Sequence, residues 1–275
     1  MTGSSSLVVL AQEVGSNALA VFLGSLVVAM LVGGTACAAW HRRRRGRGPN
    51  VQTQAPRILV GLVVGFGGIV LSASVFAWIA ARIAPDGTLG LADQALADAI
   101  GVHVARDALR FFSVVTHVGD PSVLFVLAAI IAALLWRLGR RSLVVGWLSA
   151  LAGNALLNPW LKQIFERVRP LHDHGFAQAT GYSFPSGHSS GAVVVYGMLG
   201  YLALRLLPPR WHVAVVMATI AIVLTTACSR IFLQVHFASD VAAGLLSGGT
   251  WLAVCVATLE YARRRSLSIT TTSPR

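Results

Sequence analysis

Residues 211–229, WHVAVVMATIAIVLTTACS, and residues 241–259, VAAGLLSGGTWLAVCVATL, decide the fold. Each runs 19 residues without an Asp, Glu, Lys or Arg, close to the length a helix needs to cross a bilayer. Inside lipid the backbone must satisfy its own hydrogen bonds, so such runs read as membrane helices. Working outward, charge-free runs also cover 14–40, 58–81, 121–136, 142–161 and 189–204. The runs at 121–136 and 189–204 reach span length when Leu138 and Leu206–Leu207 extend them past one snorkelling arginine each. Gly139-Arg140-Arg141 and Pro208-Pro209-Arg210 supply short hinges between neighbours. The expected fold is an all-α polytopic membrane helix bundle of about seven spans.

Composition agrees. Of 275 residues 55% are hydrophobic and 12% are charged, about half the usual globular share. Neither a solvated globule nor a disordered chain has that balance. Cys37, Cys228 and Cys255 all lie in apolar runs, which excludes a disulfide scaffold and speaks against a zinc site. The net charge of +12 comes in short clusters between apolar runs rather than as a stripe, so nucleic acid is not the expected partner. Segments 41–57, 137–141, 205–210 and 260–275 hold 15 basic residues and the opposite side holds 7. By the positive-inside rule the first set is cytoplasmic and the N-terminus is outside. Between the second and third runs, Leu91, Leu96, Ile100, Val104, Leu109 and Phe112 recur at helical spacing among Asp93, Asp98, Arg106, Asp107 and Arg110. This segment, 85–120, is expected to be one amphipathic helix in the outer interface. Gly65-Phe66-Gly67-Gly68 reads as a site of close helix packing. Ser266–Arg275 reads as a disordered tail.

Polar residues gather at one end of four runs. The first group is Lys162-Gln163-Ile164-Phe165-Glu166-Arg167-Val168-Arg169-Pro170, which contains the one lysine among 22 basic residues. Lys162 and Arg169 are seven apart, near two helical turns, so both can point one way before Pro170 limits the helix. Two cations on one face invite an anion between them. Glu166 is placed to pair with Lys162 or to meet a headgroup. The second group, Pro185-Ser186-Gly187-His188, is a tight turn into a helix N-terminus, where free N–H groups favour an anion. In the third, Ser229 to Asp240, His236 and Asp240 are four apart. On one helix face the carboxylate can hold one ring nitrogen and leave the other as nucleophile or base. His172-Asp173-His174 lacks a further ligand, so no metal is expected there.

Together, Lys162-x6-Arg169-Pro170, Pro185-Ser186-Gly187-His188 and Ser229-Arg230-x5-His236-x3-Asp240 resemble the three motifs of the type 2 phosphatidic acid phosphatase superfamily. That group contains integral-membrane lipid phosphatases and soluble vanadium haloperoxidases. The resemblance covers about 115–258, with Thr116-His117-Val118-Gly119-Asp120 resembling the segment that opens the core. Ala238 stands where a proline often follows the His-aromatic pair. The implied organisation is 1–114 as two spans plus the interfacial helix, 115–260 as a lipid-phosphatase core in the last five spans, and 261–275 as a cytoplasmic tail.

The resemblance implies that His236 attacks phosphorus, that Asp240 orients it, and that His188 is the general acid and then the base. It implies that Lys162, Arg169, Arg230, Ser186 and the Gly187 N–H hold the phosphate oxygens. Three fixed cations supply the neutralisation that magnesium supplies elsewhere, so no metal and no cofactor is implied. The expected substrate is a lipid phosphomonoester or pyrophosphate, with phosphatidic acid and polyprenyl pyrophosphate foremost. The expected place is the cell membrane, with the site extracytoplasmic. A transporter or receptor using the same cluster to bind an anion is the rival. A retinal-type protein would need a lysine in the last span, and a transporter would place charge at mid-membrane.

Overall fold

A computed structural model of the chain describes residues 2–45, 54–171 and 174–272. Within them the architecture is helical throughout. The helices are α1 (Thr2–Ser16), α2 (Ala18–Arg45), α3 (Gln54–Ala80), α4 (Thr88–His103), α5 (Arg106–Val115), α6 (Pro121–Arg137), α7 (Arg141–Phe165), α8 (Gly187–Leu206), α9 (His212–Phe232) and α10 (Ala238–Thr272). Short 3-10 turns stand at Thr116–Gly119 and Pro209–Trp211.

The seven charge-free runs are helical, the first divided between α1 and α2, and the span count is narrower. By length and hydropathy four helices of the described residues can cross a membrane: α2, α8, the stretch Pro209–Phe232 that contains α9, and α10. The pair Arg106–Gly119 and Pro121–Arg137, bent by 44°, brings the number to five if it forms one broken span. The part of α3 from Gly65 to Ala80 is apolar but short. Helix α7 falls outside the count because Asn154 and Asn158 interrupt its apolar run, and Asn158 serves the site described below.

Three local expectations are corrected. The segment 85–120 is two helices, because Val104 and Ala105 are extended and the His103 ring bonds the Ala99 carbonyl. Helix α1 reaches into the start of the first run, 14–40, which is thus not one helix, and packs on α4. It is set off from α2 at Asn17, where Ser16 and Asn17 side chains both take the Glu13 carbonyl. The tail from Ser266 continues α10 as helix to Thr272, since no Gly or Pro interrupts it before Pro274.

Helix α8 is the centre of the bundle. It packs against α7, α9 and α10, while α2 lies along α9, α3 along α10 and α6 along α7. Trp147 of α7 is fully buried among Ala128, Val194 and Met198 and donates its indole N–H to the Ala128 carbonyl. A second cluster stacks Phe112 of α5 on Phe232 of α9, with ring centroids 4.1 Å apart. Helices α8 and α10 meet backbone to backbone. A Cβ on Gly244 would stand 2.5 Å from the Ser186 carbonyl oxygen, and one on Gly248 2.7 Å from that of Ser190. The run at 65–68 is not a packing site: a Cβ on Gly65, Gly67 or Gly68 would meet nothing within 4 Å.

The helix directions sort the charges. At one end of the bundle Glu260 of α10 accepts from Tyr201 and Arg205 of α8 and from Arg263. At the same end, where α2 finishes and α9 starts, His41 meets His212 at 2.9 Å. The polar groups singled out above stand at the opposite ends of α7, α8, α9 and α10. Arg47 lies outside the described residues.

The close α8–α10 contact makes a prediction. Gly248→Ala should lower thermal stability in detergent by about 1–3 kcal/mol, since the neighbour is backbone and cannot yield. Gly67→Ala should not. Equal melting of the two variants would contradict the packing.

Candidate active site

Lys162 lies in the last turn of α7. The helix ends at Phe165 because Glu166 adopts the left-handed conformation, φ 44°, and returns its N–H to the Lys162 carbonyl. Lys162 and Arg169 therefore do not share a helix face. Arg169 belongs to the irregular segment beyond the cap, which is tied to the segment 180–183 by Ser183 N–H and hydroxyl bonds to the Arg167 and Val168 carbonyls. The two cations converge by a different route. Lys162 Nζ donates to the Tyr182 carbonyl at 2.6 Å, and Arg169 donates to those of Thr180, Gly181 and Tyr182. Glu166 does not pair with Lys162; its carboxylate accepts from the Tyr182 hydroxyl at 3.0 Å.

The second group opens α8. Ser186 is the N-cap, and its Oγ accepts from the Ser189 hydroxyl at 2.9 Å and more weakly from the Ser189 N–H at 3.4 Å. Its own O–H stays available to donate. Gly187 is the first helical residue, and Asn158 of α7 stands 3.0 Å from where a Cβ there would be. The following His188 points Nε2 at the Asp120 carboxylate, 2.9 Å away.

The third group bridges α9 and α10. Arg230, in the last turn of α9, is buried and donates to Thr116 at 2.6 Å, while its Nε has no hydrogen-bond partner. Gln234 takes the left-handed conformation, φ 47°, and brings Val235 and His236 back under the Arg230 carbonyl. His236 thus precedes α10 rather than lying on it. Asp240 still reaches it, because it sits in the first turn and folds back on the turn before it. Its Oδ2 accepts from Phe237 N–H at 2.9 Å, in the manner of a capping box, and lies 3.4 Å from His236 Nδ1. On the other side of the ring, Arg169 Nη1 stands 3.1 Å from Nε2. Arginine only donates, so Nε2 presents its lone pair and the ring proton is on Nδ1, facing the carboxylate.

Two charged side chains missed by motif spacing hold this arrangement. Arg167, 8% exposed, donates to Asp240 Oδ1 at 2.6 Å, to Ser239 at 2.7 Å and to Asp93 Oδ2 at 2.8 Å, and it covers the Phe237 ring. Asp93 of α4 also accepts the Ser239 N–H and hydroxyl. Burial pushes the Asp93 carboxyl up, against the pull of Arg167 and Ser239. A signal was present in the sequence: Asp93, Ala97 and Ile100 fall at i, i+4 and i+7, and all three are buried. A carboxylate on the apolar face of a helix calls for a cation. His174 is taken up by the Leu233 carbonyl and the Phe176 N–H; His172 and Asp173 lie outside the described residues.

The electrostatics follow from burial among like charges. Lys162 feels Arg169 and Arg230, and Arg230 feels Arg169. Burial pushes the His236 imidazole down to about 3, the charges of Arg169 and Arg230 add to this, and Asp240 works against them. The ring is neutral at any pH in which the fold is expected to operate. The cluster can therefore take up an anion of two or three oxygens beside an uncharged imidazole whose Nε2 lone pair faces Arg169.

Comparisons with known proteins bear on this cluster. A model of the PAP2 superfamily matches residues 143–264. Phosphatidylglycerophosphatase B of Bacillus subtilis is 34% identical over 143 residues, 49% of this chain and 66% of that protein. A lipid A 1-phosphatase of Rhizobium etli is 34% identical over 137 residues, 45% of this chain and 54% of that protein. The matched stretch thus spans between about half and two thirds of these relatives. The crystal structure of a transmembrane PAP2 type phosphatidylglycerolphosphate phosphatase from Bacillus subtilis superposes with a TM-score of 0.66 at 28% identity, over 70% of this chain and 96% of that one.

The state of His236 can be measured. In protein with 15N-labelled histidine, its ring should stay neutral at pH 5 with the proton on Nδ1. An unfolded histidine takes up a proton near 6.5 and this one only near 3. Its contribution to stability is therefore complete above 6.5 and is lost as pH falls toward 3. A His236 resonance titrating near 6.5 would contradict the buried, cation-flanked site.

Proposed function

We propose, on the match of residues 143–264 to the PAP2 superfamily, that this chain is a metal-independent membrane phosphatase acting on a phosphate ester of a lipid. The observation that carries the reading is the pairing of a neutral His236 with three mutually repelling cations, one of which, Arg230, keeps a buried N–H without a partner. A buried donor left unsatisfied asks for an acceptor. A phosphate supplies it and relieves the repulsion among Lys162, Arg169 and Arg230.

In the proposed reaction His236 Nε2 attacks phosphorus as Arg169 turns from the imidazole to the phosphate oxygens. The N–P bond forms, the bond to the lipid oxygen breaks, and His188 gives that oxygen a proton. Asp240, fixed by Arg167 and the Phe237 N–H, holds Nδ1–H of the charged imidazole. Water then attacks phosphorus, His188 takes its proton, and the N–P bond breaks to restore His236. Arg230, Arg169, Lys162, the Gly187 N–H and the Ser186 hydroxyl neutralise the equatorial oxygens, where phosphoryl transfer develops its charge. Both named relatives act, by their names, on lipids that carry a phosphate, which favours a lipid phosphomonoester. The site lies at the helix ends opposite the basic clusters, which supports a multi-pass protein with an extracytoplasmic site at headgroup depth.

His236→Ala should abolish phosphate release and phosphoenzyme formation from a lipid phosphate in detergent, while EDTA leaves the wild type active and orthovanadate inhibits it. Turnover retained by the variant, or activity lost in EDTA and restored by magnesium, would refute the mechanism. Sidedness has its own measurement. With Cys37, Cys228 and Cys255 replaced, an impermeant thiol reagent on intact cells should label Gln178→Cys and miss Arg140→Cys. The reverse pattern would place the site in the cytoplasm.

A further inference from the structure

Asp120 occupies the N-cap position of α6, with φ −66° and ψ 139°. An aspartate there ordinarily accepts from an N–H of the first turn, a bond worth about 1 kcal/mol. This one makes no capping bond with its side chain. Its Oδ2 is bonded to His117 Nδ1 at 2.6 Å and its Oδ1 to His188 Nε2 at 2.9 Å. The turn that carries it is built against the site. Thr116 accepts from Arg230, and Tyr196 of α8 donates to the Val118 carbonyl at 2.7 Å. Gly119 gives the room: a Cβ there would stand 2.9 Å from His188 Cδ2 and 2.6 Å from Thr226 Cγ2.

Burial works to raise the Asp120 carboxyl, but hydrogen bonds from His117 and His188 overcome it and hold the group below the usual range. An ionised carboxylate only accepts, so both histidine nitrogens that face it carry protons. On His188 that leaves Nδ1 as the nitrogen free to work. Building on the phosphatase reading, we propose that Asp120 is the positioning residue of His188: it keeps one proton on Nε2, directs acid–base work to Nδ1, and shares its charge with the exposed His117. In the first half-reaction the Nδ1 proton goes to the departing lipid oxygen as the P–O bond breaks. In the second, a proton of the attacking water returns to Nδ1. The Nε2 proton stays on the ring, facing Asp120, throughout, so the cycle balances without exchange.

The charged groups facing His188 are Asp120 from the turn, Arg230 from α9 and Lys162 from α7. Asp120 is the one that favours protonated His188. Its loss should move the alkaline limb of kcat/KM, where the acid loses its proton, to lower pH. His117 draws on the same carboxylate from the solvent side, its side chain 68% exposed. Its removal leaves Asp120 undivided toward His188 and should move the limb to higher pH. A merely structural role moves neither.

The experiment compares Asp120→Asn, Asp120→Ser and His117→Ala on a lipid phosphate and on nitrophenyl phosphate, across pH, in detergent. Serine can cap α6, so Asp120→Ser guards against loss of fold. Both Asp120 variants should shift the limb downward. They should lose kcat on the lipid phosphate by at least about tenfold and lose less on nitrophenyl phosphate, whose good leaving group needs little acid. KM should change little. His117→Ala should shift the limb upward. The proposal is overturned if both Asp120 variants keep the wild-type limb, if they lose equally on the two substrates, or if His117→Ala shifts the limb downward. Absence of turnover by the wild type on either substrate would overturn the phosphatase reading itself, an outcome separate from these.

Discussion

One buried guanidinium ties the molecule together. Arg167 lies between Asp93 and Asp240, each bonded to it at 2.8 Å or less, and its plane covers Phe237. A buried ion pair repays its desolvation only when the geometry is good and the remaining polar atoms are satisfied. Here Asp93 also receives Ser239, and Asp240 also receives the Phe237 N–H. One cation thus binds α4, the chain beyond α7 and the start of α10. Removing any partner would leave an uncompensated charge in the interior. The position of Asp240, and through it of His236, depends on this node rather than on helix periodicity.

Around it the backbone, more than the side chains, sets the cations in place. Arg169 is held by the carbonyls of Thr180, Gly181, Tyr182 and Val235, and Lys162 by that of Tyr182. Carbonyl oxygens carry partial charge and can release a cation to a stronger acceptor at modest cost. A carboxylate partner would compete with an incoming anion far more strongly. The carboxylates near the site are instead occupied elsewhere: Asp240 with Arg167, Glu166 with Tyr182, Asp120 with two histidines. This division leaves positive charge beside a neutral imidazole, the balance that the proposed phosphoryl transfer requires.

Two breaks in helix periodicity explain where motif spacing misleads. The seven-residue interval from Lys162 to Arg169 suggests one face, yet the left-handed Glu166 ends the helix between them. The four-residue interval from His236 to Asp240 suggests one helix, yet α10 begins only at Ala238 and the contact is made by a carboxylate folding back. In both cases the residues still converge. The residue types at those intervals meet in one cluster, although the backbone path between them differs from a continuous helix.

The sequence by itself determined the helical class and placed the cations and histidines of the three motifs at the ends of its apolar runs. Charge-free runs have to become helices in lipid, and cations and histidines at their ends have to gather where water and headgroups are. It also showed which end carries the basic clusters. Tertiary structure alone decided that Arg167, an unspecified position inside the first motif, and Asp93, outside all three, hold Asp240, that Asp120 forgoes capping for His188, and that Gly244 and Gly248 rather than Gly65 to Gly68 are the packing glycines. The reason is physical. Periodicity reports which face of a helix is apolar, whereas the partner of a buried charge depends on which helices meet, and that is settled only when the whole bundle packs.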